Sequence, residues 1–76
     1  MSDKLPRVTA ADAIRVLEGA GFIFSRQSGS HKIYKNSEGK RATVPYHAGK
    51  ILHPKVVASI IRDANLTVEK FKDLLK

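Results

Sequence analysis

The 76-residue chain has no cysteine and no tryptophan. Without thiols, a disulfide framework and thiolate ligation of zinc are both excluded. No apolar stretch approaches the ~20 residues needed to cross a bilayer, and Met1-Ser2-Asp3-Lys4 leads into no apolar run of the secretory kind. The expectation is a cytoplasmic protein. Acidic side chains are also scarce: 7 Asp+Glu stand against 14 Lys+Arg, a formal net charge of +7. Such a field attracts polyanions, nucleic acid first and an acidic protein second. The cations are dispersed, and no helical segment joins a basic face to a broad apolar one, so membrane-surface binding is not expected.

The hydrophobic share of 42% is ordinary for a globular chain. A domain this short buries roughly 60% of the surface its unfolded chain exposes, which leaves a thin, two-layered core. No linker, repeat or low-complexity tract interrupts the chain, so residues 1–76 read as one domain.

Residues 1–8 read as a lead-in. Thr9 can cap a first helix, with Asp12 three residues on as its capping-box partner, and Ala13, Ile14, Leu17 and Ala20 recur at helical spacing. Gly21 fits the left-handed position that ends a helix. Residues 22–27, 31–36 and 41–46 read as three short strands of an antiparallel meander, joined by Ser28-Gly29-Ser30 and by a turn over residues 37–40. Pro45 belongs near a strand end or at an edge. Pro54 at the first helical position, with His53 as cap, starts a second helix whose stripe is Val56, Val57, Ile60, Ile61 and Ala64. Asn65 stops it, and Thr67 caps a short final helix carrying Phe71, Leu74 and Leu75. The order α-β-β-β-α plus a terminal helix makes an α+β sandwich: helices on one face of a three-stranded antiparallel sheet, the other face open. Phe22 and Phe24, on one side of the first strand, are assigned with Phe71 to the core, while Tyr34 and Tyr46 are candidates to stack on a base. Ile33 and Tyr34 point opposite ways, so which sheet face is buried stays open.

The stretch that concentrates chemistry is Ser28-Gly29-Ser30-His31-Lys32-Ile33-Tyr34. Cleaving RNA without a metal needs a base for the 2′-hydroxyl proton, an acid for the leaving 5′-oxygen, and positive charge on the phosphoryl oxygens. Histidine, with an ordinary pKa of about 6.5, can take either proton-transfer role near neutral pH. His31 stands beside a glycine that permits close approach, the Ser30 hydroxyl, and the cations Arg26, Lys32 and Lys35. Lys50 and Lys55 flank the start of the second helix, where unpaired N–H groups favour an anion. Double-stranded RNA-binding domains of the same element order use this corner for phosphate contacts. His47 is either a complementary acid or a structural hydrogen-bonding residue of its loop. A three-histidine metal site is not supported, because the spacing is irregular and no carboxylate lies close in sequence to any two of the histidines. Two readings therefore stand side by side: a nuclease using His31, and a basic RNA-binding module in which that histidine is incidental.

Gly21-Phe22, then Arg26-Gln27-Ser28-Gly29-Ser30-His31 with Tyr34, then Thr43-Val44-Pro45 with His47 and Gly49-Lys50, and finally Asn65-Leu66-Thr67 with Glu69 and Phe71 resemble the HicA-type (YcfA-like) toxins in order over nearly the whole chain. The resemblance implies a double-stranded-RNA-binding-domain-like fold and a small endoribonuclease acting on mRNA, an mRNA interferase, as the toxin of a toxin-antitoxin pair. It implies His31 as the catalytic histidine, no metal or organic cofactor, and a HicB-type antitoxin that covers the active site. Asn65 stands where the family often has glycine, and asparagine also tolerates the left-handed conformation. A third reading follows from the pairing: the basic face serves mainly to bind an acidic antitoxin.

Overall fold

The computed structural model describes residues 5–76. Thr9 opens helix α1 (Ala10–Gly19) with both halves of a capping box: its hydroxyl accepts from the Asp12 N–H at 3.2 Å, and the Asp12 carboxylate accepts from the Thr9 N–H at 3.0 Å. That backbone hydrogen bond is the main reason the Asp12 carboxyl titrates below its ordinary value of 3.8. The helix ends in a Schellman motif around Gly21 (φ +93°), in which Phe22 N–H donates to the Leu17 carbonyl and Gly21 N–H to that of Glu18.

This ending corrects the expected first strand. Phe22 is committed to the helix terminus and buried against the core, so β1 is Ile23–Ser28, one residue later than the pattern suggested. Strands β2 (His31–Lys35) and β3 (Arg41–Pro45) complete an antiparallel sheet in the order β1-β2-β3. The register of β1 against β2 slips between Phe24 and Arg26, leaving Ser25 as the extra residue of a bulge. Phe24, expected in the core beside Phe22, lies at the sheet edge and is 52% exposed, its ring meeting Tyr34 edge-on. Asn36 leaves β2 early because its side-chain oxygen accepts from the N–H groups of Glu38 and Lys40, closing the next turn.

Tyr34 decides which face is buried. It is packed inside, and its partner on β3 is Ala42, also buried; Val44 continues the same row. On that face lie α1 and α2 (Pro54–Asp63), whose Val57, Ile60 and Ile61 enter the core. Helix α2 starts where His53 caps it and stops at Asn65, whose φ of +58° supports a second Schellman ending. Helix α3 (Val68–Leu75), capped by Thr67, packs on α1 and buries Phe71 completely. Gly19 permits that approach, since a β-carbon there would lie 3.1 Å from Leu74 Cδ2. The part of the lead-in before Leu5 lies outside the described residues. Its end is a structural segment: Val8 is core, its carbonyl accepts from Leu52 N–H at 2.8 Å, and Thr9 bridges to Ile51. The architecture is α+β in the expected order. Among the described residues, no helix is long and apolar enough to cross a membrane.

Candidate active site on the open sheet face

The Gly29-Ser30 turn fixes where β2 begins. Ser28 and His31 are Cα partners, so only two residues join the strands, and Gly29 takes the positive φ (+58°) that a type II′ loop requires at its first position. Gln27 Nε2 donates to the Gly29 carbonyl at 2.9 Å, and Tyr46 N–H donates to the Ser30 carbonyl at 2.7 Å, tying the turn to β3. His31 is therefore the first residue of a central strand, held on both sides and exposed.

Pairing and alternation then sort the cations. His31 lies between Ser28 and Pro45, Ile33 between Arg26 and Thr43, and Lys35 between Ile23 and Arg41. Since partners share a face and residues two apart return to it, these nine positions form the open face, opposite Tyr34, Ala42 and Val44. His31 thus shares a surface with Arg26, Lys35 and Arg41, and no residue of the three strands is acidic. Among the described residues, none of these three cations makes an ion pair. Arg41 was not singled out by sequence; the alternation of buried Ala42 and Val44 was the signal that would have found it.

Lys32 goes the other way. It pairs with Val44 on the helix-covered side, where its Nζ lies 4.1 Å from the centre of the Tyr46 ring. Ser30 sits half-buried in the turn with its carbonyl engaged by Tyr46. Lys50 and Lys55 are exposed at the start of α2. His53 Nδ1 accepts from the Lys55 N–H at 3.0 Å, so the cap already satisfies one of the N–H groups that an anion would use. His47 borders a pocket of about 220 Å³ together with Pro45, Lys50, His53 and Val56. Through Pro45, the partner of His31, this pocket adjoins the open face. The His47 main-chain carbonyl, rather than its ring, makes the loop's hydrogen bond, accepting from Lys50 N–H at 3.1 Å. Tyr34 is too deep to stack on a base, and burial, reinforced by Glu18 and Tyr46, pushes its phenol above the ordinary tyrosine value. Among the described residues, no three His, Cys, Asp or Glu side chains cluster as metal ligands would.

A family model described as the HicA toxin of bacterial toxin-antitoxin pairs matches residues 10–66. The chain belongs to the HicA toxin family. No curated protein matches it. As a HicA toxin it is one half of a toxin-antitoxin pair, and an antitoxin is its partner. The matched segment runs from α1 to the end of the α2 cap and contains every candidate residue from Arg26 to Lys55, whereas α3 lies beyond it.

Proposed function

We propose that this HicA toxin is a metal-independent endoribonuclease that cleaves mRNA in the cytoplasm, with His31 as general acid or base. The observation that carries the reading is the placement of His31: an exposed imidazole on a central strand paired on both sides, on a sheet without acids, flanked by unpaired cations. As a base the imidazole takes the 2′-hydroxyl proton while that oxygen bonds to phosphorus and the bond to the 5′-oxygen breaks. As an acid it delivers a proton to the departing 5′-oxygen. Arg26 on the same face neutralises the phosphoryl oxygens as charge builds in the transition state. Ser30 at the turn and Lys35 on the open face are phosphate-holding groups, Lys32 is turned to the other face over Tyr46 and is left out of this set, and Lys50 and Lys55 form a second anion contact at the start of α2.

The test is cleavage of labelled RNA in EDTA by the parent and by His31→Ala. Positioned proton transfer is worth roughly 10²–10⁴ in rate, so the variant should cleave slower by that factor while binding RNA as before. Undiminished cleavage by the variant would remove His31 from the chemistry. One observation favours a second reading, a non-catalytic RNA-binding module: the open face carries a single imidazole and no carboxylate, so it offers no obvious second proton-transfer group. A parent protein that binds RNA but never cleaves it above background would establish that reading.

The partner is proposed to be a HicB-type antitoxin, acidic where it touches this face, that inhibits by covering His31. Complementary charge should make its association fast and salt-sensitive. A complex in which His31 remains open to solvent would rule out masking.

A further inference from the structure

Arg41 has no part in the reading above, yet it stands in a costly place. Its partner on β2 is Lys35, and both side chains lie on the open face. Directly opposed residues of an antiparallel pair are only about 5 Å apart, and like charges so placed destabilise the pair. Neither cation has a carboxylate partner among the described residues. Two adjacent, exposed and uncompensated cations are a binding geometry for a single phosphate, which can bridge them with its two free oxygens.

Their distance from His31 supplies the second half of the argument. Four residue steps along β2 lead from His31 to Lys35, about 13 Å at about 3.3 Å per step. A stacked RNA strand covers that length in about four nucleotides at about 3.4 Å each, and an extended one in fewer. Between the two ends lie Arg26, Ile33 and Thr43, with Ile23 beside Lys35 and 71% exposed. This strip is charged at intervals and apolar in between, suited to a backbone with unstacked bases. Three strands span only about 10 Å, too little for a duplex that is read across successive grooves.

We infer that Lys35 and Arg41 together clamp a backbone phosphate of single-stranded RNA two to four nucleotides from the bond held at His31, with the strand running along β2. The inference deepens the ribonuclease reading and rests on it for the identity of the reacting end. The clamp itself is measurable without cleavage.

The experiment measures binding of RNA of graded length to His31→Ala protein, with and without the added pair Lys35→Ala and Arg41→Ala. Lys70→Ala with Lys72→Ala on α3 removes the same charge from exposed positions outside the sheet. An oligonucleotide of about eight nucleotides should bind more tightly than a dinucleotide, and the Lys35/Arg41 pair should cut that advantage about tenfold or more. The slope of log affinity against log salt should flatten by about 0.7 for each phosphate that is no longer neutralised. The α3 pair should leave the advantage nearly intact. An unchanged advantage, an equal loss in the α3 pair, tighter binding of duplex than of single strand, or an effect confined to antitoxin binding would each overturn the clamp. Failure of the ribonuclease reading looks different: the parent would not cleave RNA, or His31→Ala would cleave like the parent, while the length advantage still depended on Lys35 and Arg41.

Discussion

Val44 and Thr43 are neighbours on β3, yet Val44 is wholly buried and Thr43 is exposed. The same division runs through the sheet. Tyr34, Ala42 and Val44 face the helices with almost no surface left, while His31, Lys35, Arg41 and Thr43 face solvent. One face carries the apolar burial that stabilises a 76-residue chain. The other carries charge that contributes nothing to packing and, where Lys35 opposes Arg41, works against it. Stability and ligand chemistry are thus separated by one step along a strand, and changes on one face can be made with little effect on the other.

The strongest way to break this division is to place the same charge on each face in turn. Val44→Lys buries an unpaired ammonium and should cost several kcal/mol, enough to abolish or nearly abolish folding. Thr43→Lys adds a cation to an exposed strip and should change stability by no more than about 0.5 kcal/mol. Urea unfolding of the two variants checks both. A Thr43→Lys protein as unstable as Val44→Lys would show that the open face is covered in solution.

A smaller effect tests whether the helical layer is held by its own local signals. Thr9→Ala removes one half of the capping box and should cost about 1 kcal/mol, within a range of about 0.5–2. The same box makes stability depend on acid. Asp12 titrates below 3.8 in the folded chain, so the unfolded chain binds its proton first as pH falls. The stabilisation from Asp12 is therefore complete above that value and is lost as pH drops through the folded-state value. Thermal unfolding followed between about pH 5 and pH 2 should fall less steeply for Asp12→Asn than for the parent. Parallel curves would mean that the carboxylate hydrogen bond does not persist in solution. Neither change should alter the RNA binding proposed for the opposite side of the sheet.

These local signals were also what the sequence made legible. Thr9, Gly21, His53-Pro54, Asn65 and Thr67 each act through hydrogen bonds within a few residues, and each sits at the helix end its chemistry suggests. The phase of the sheet was less accessible, because it depends on pairing across the chain. A single bulge residue at Ser25 sets Phe24 opposite Tyr34 rather than Lys35, the place of β1 at the edge of the sheet leaves its ring half exposed, and Phe22 is taken by the helix ending before the strand begins. The site shows the same split. The glycine turn and His31 were readable from Ser28-Gly29-Ser30-His31, whereas Arg41 joins the face only through its register with Lys35. Nearness in sequence grouped Lys32 with Lys35, but alternation sends them to opposite faces.

Lys32 therefore gives the finest test of the two-face division. Its ammonium lies over Tyr46 on the helix side, while Lys35 stands on the open face three residues further along β2. A half-buried cation–π contact of this kind is worth about 0.5–1 kcal/mol or somewhat more, so Lys32→Ala should lower stability by about 0.5–1 kcal/mol. Lys35→Ala should instead leave stability unchanged or raise it, because it relieves the opposition to Arg41. RNA affinity should respond in the reverse order, with the larger loss in Lys35→Ala. Unfolding curves and oligonucleotide titrations on the same two proteins decide the matter. Equal losses of affinity would mean that RNA passes around the end of the sheet at the Gly29-Ser30 turn and touches both faces, and the track along β2 would have to be redrawn past that turn toward Lys50 and Lys55.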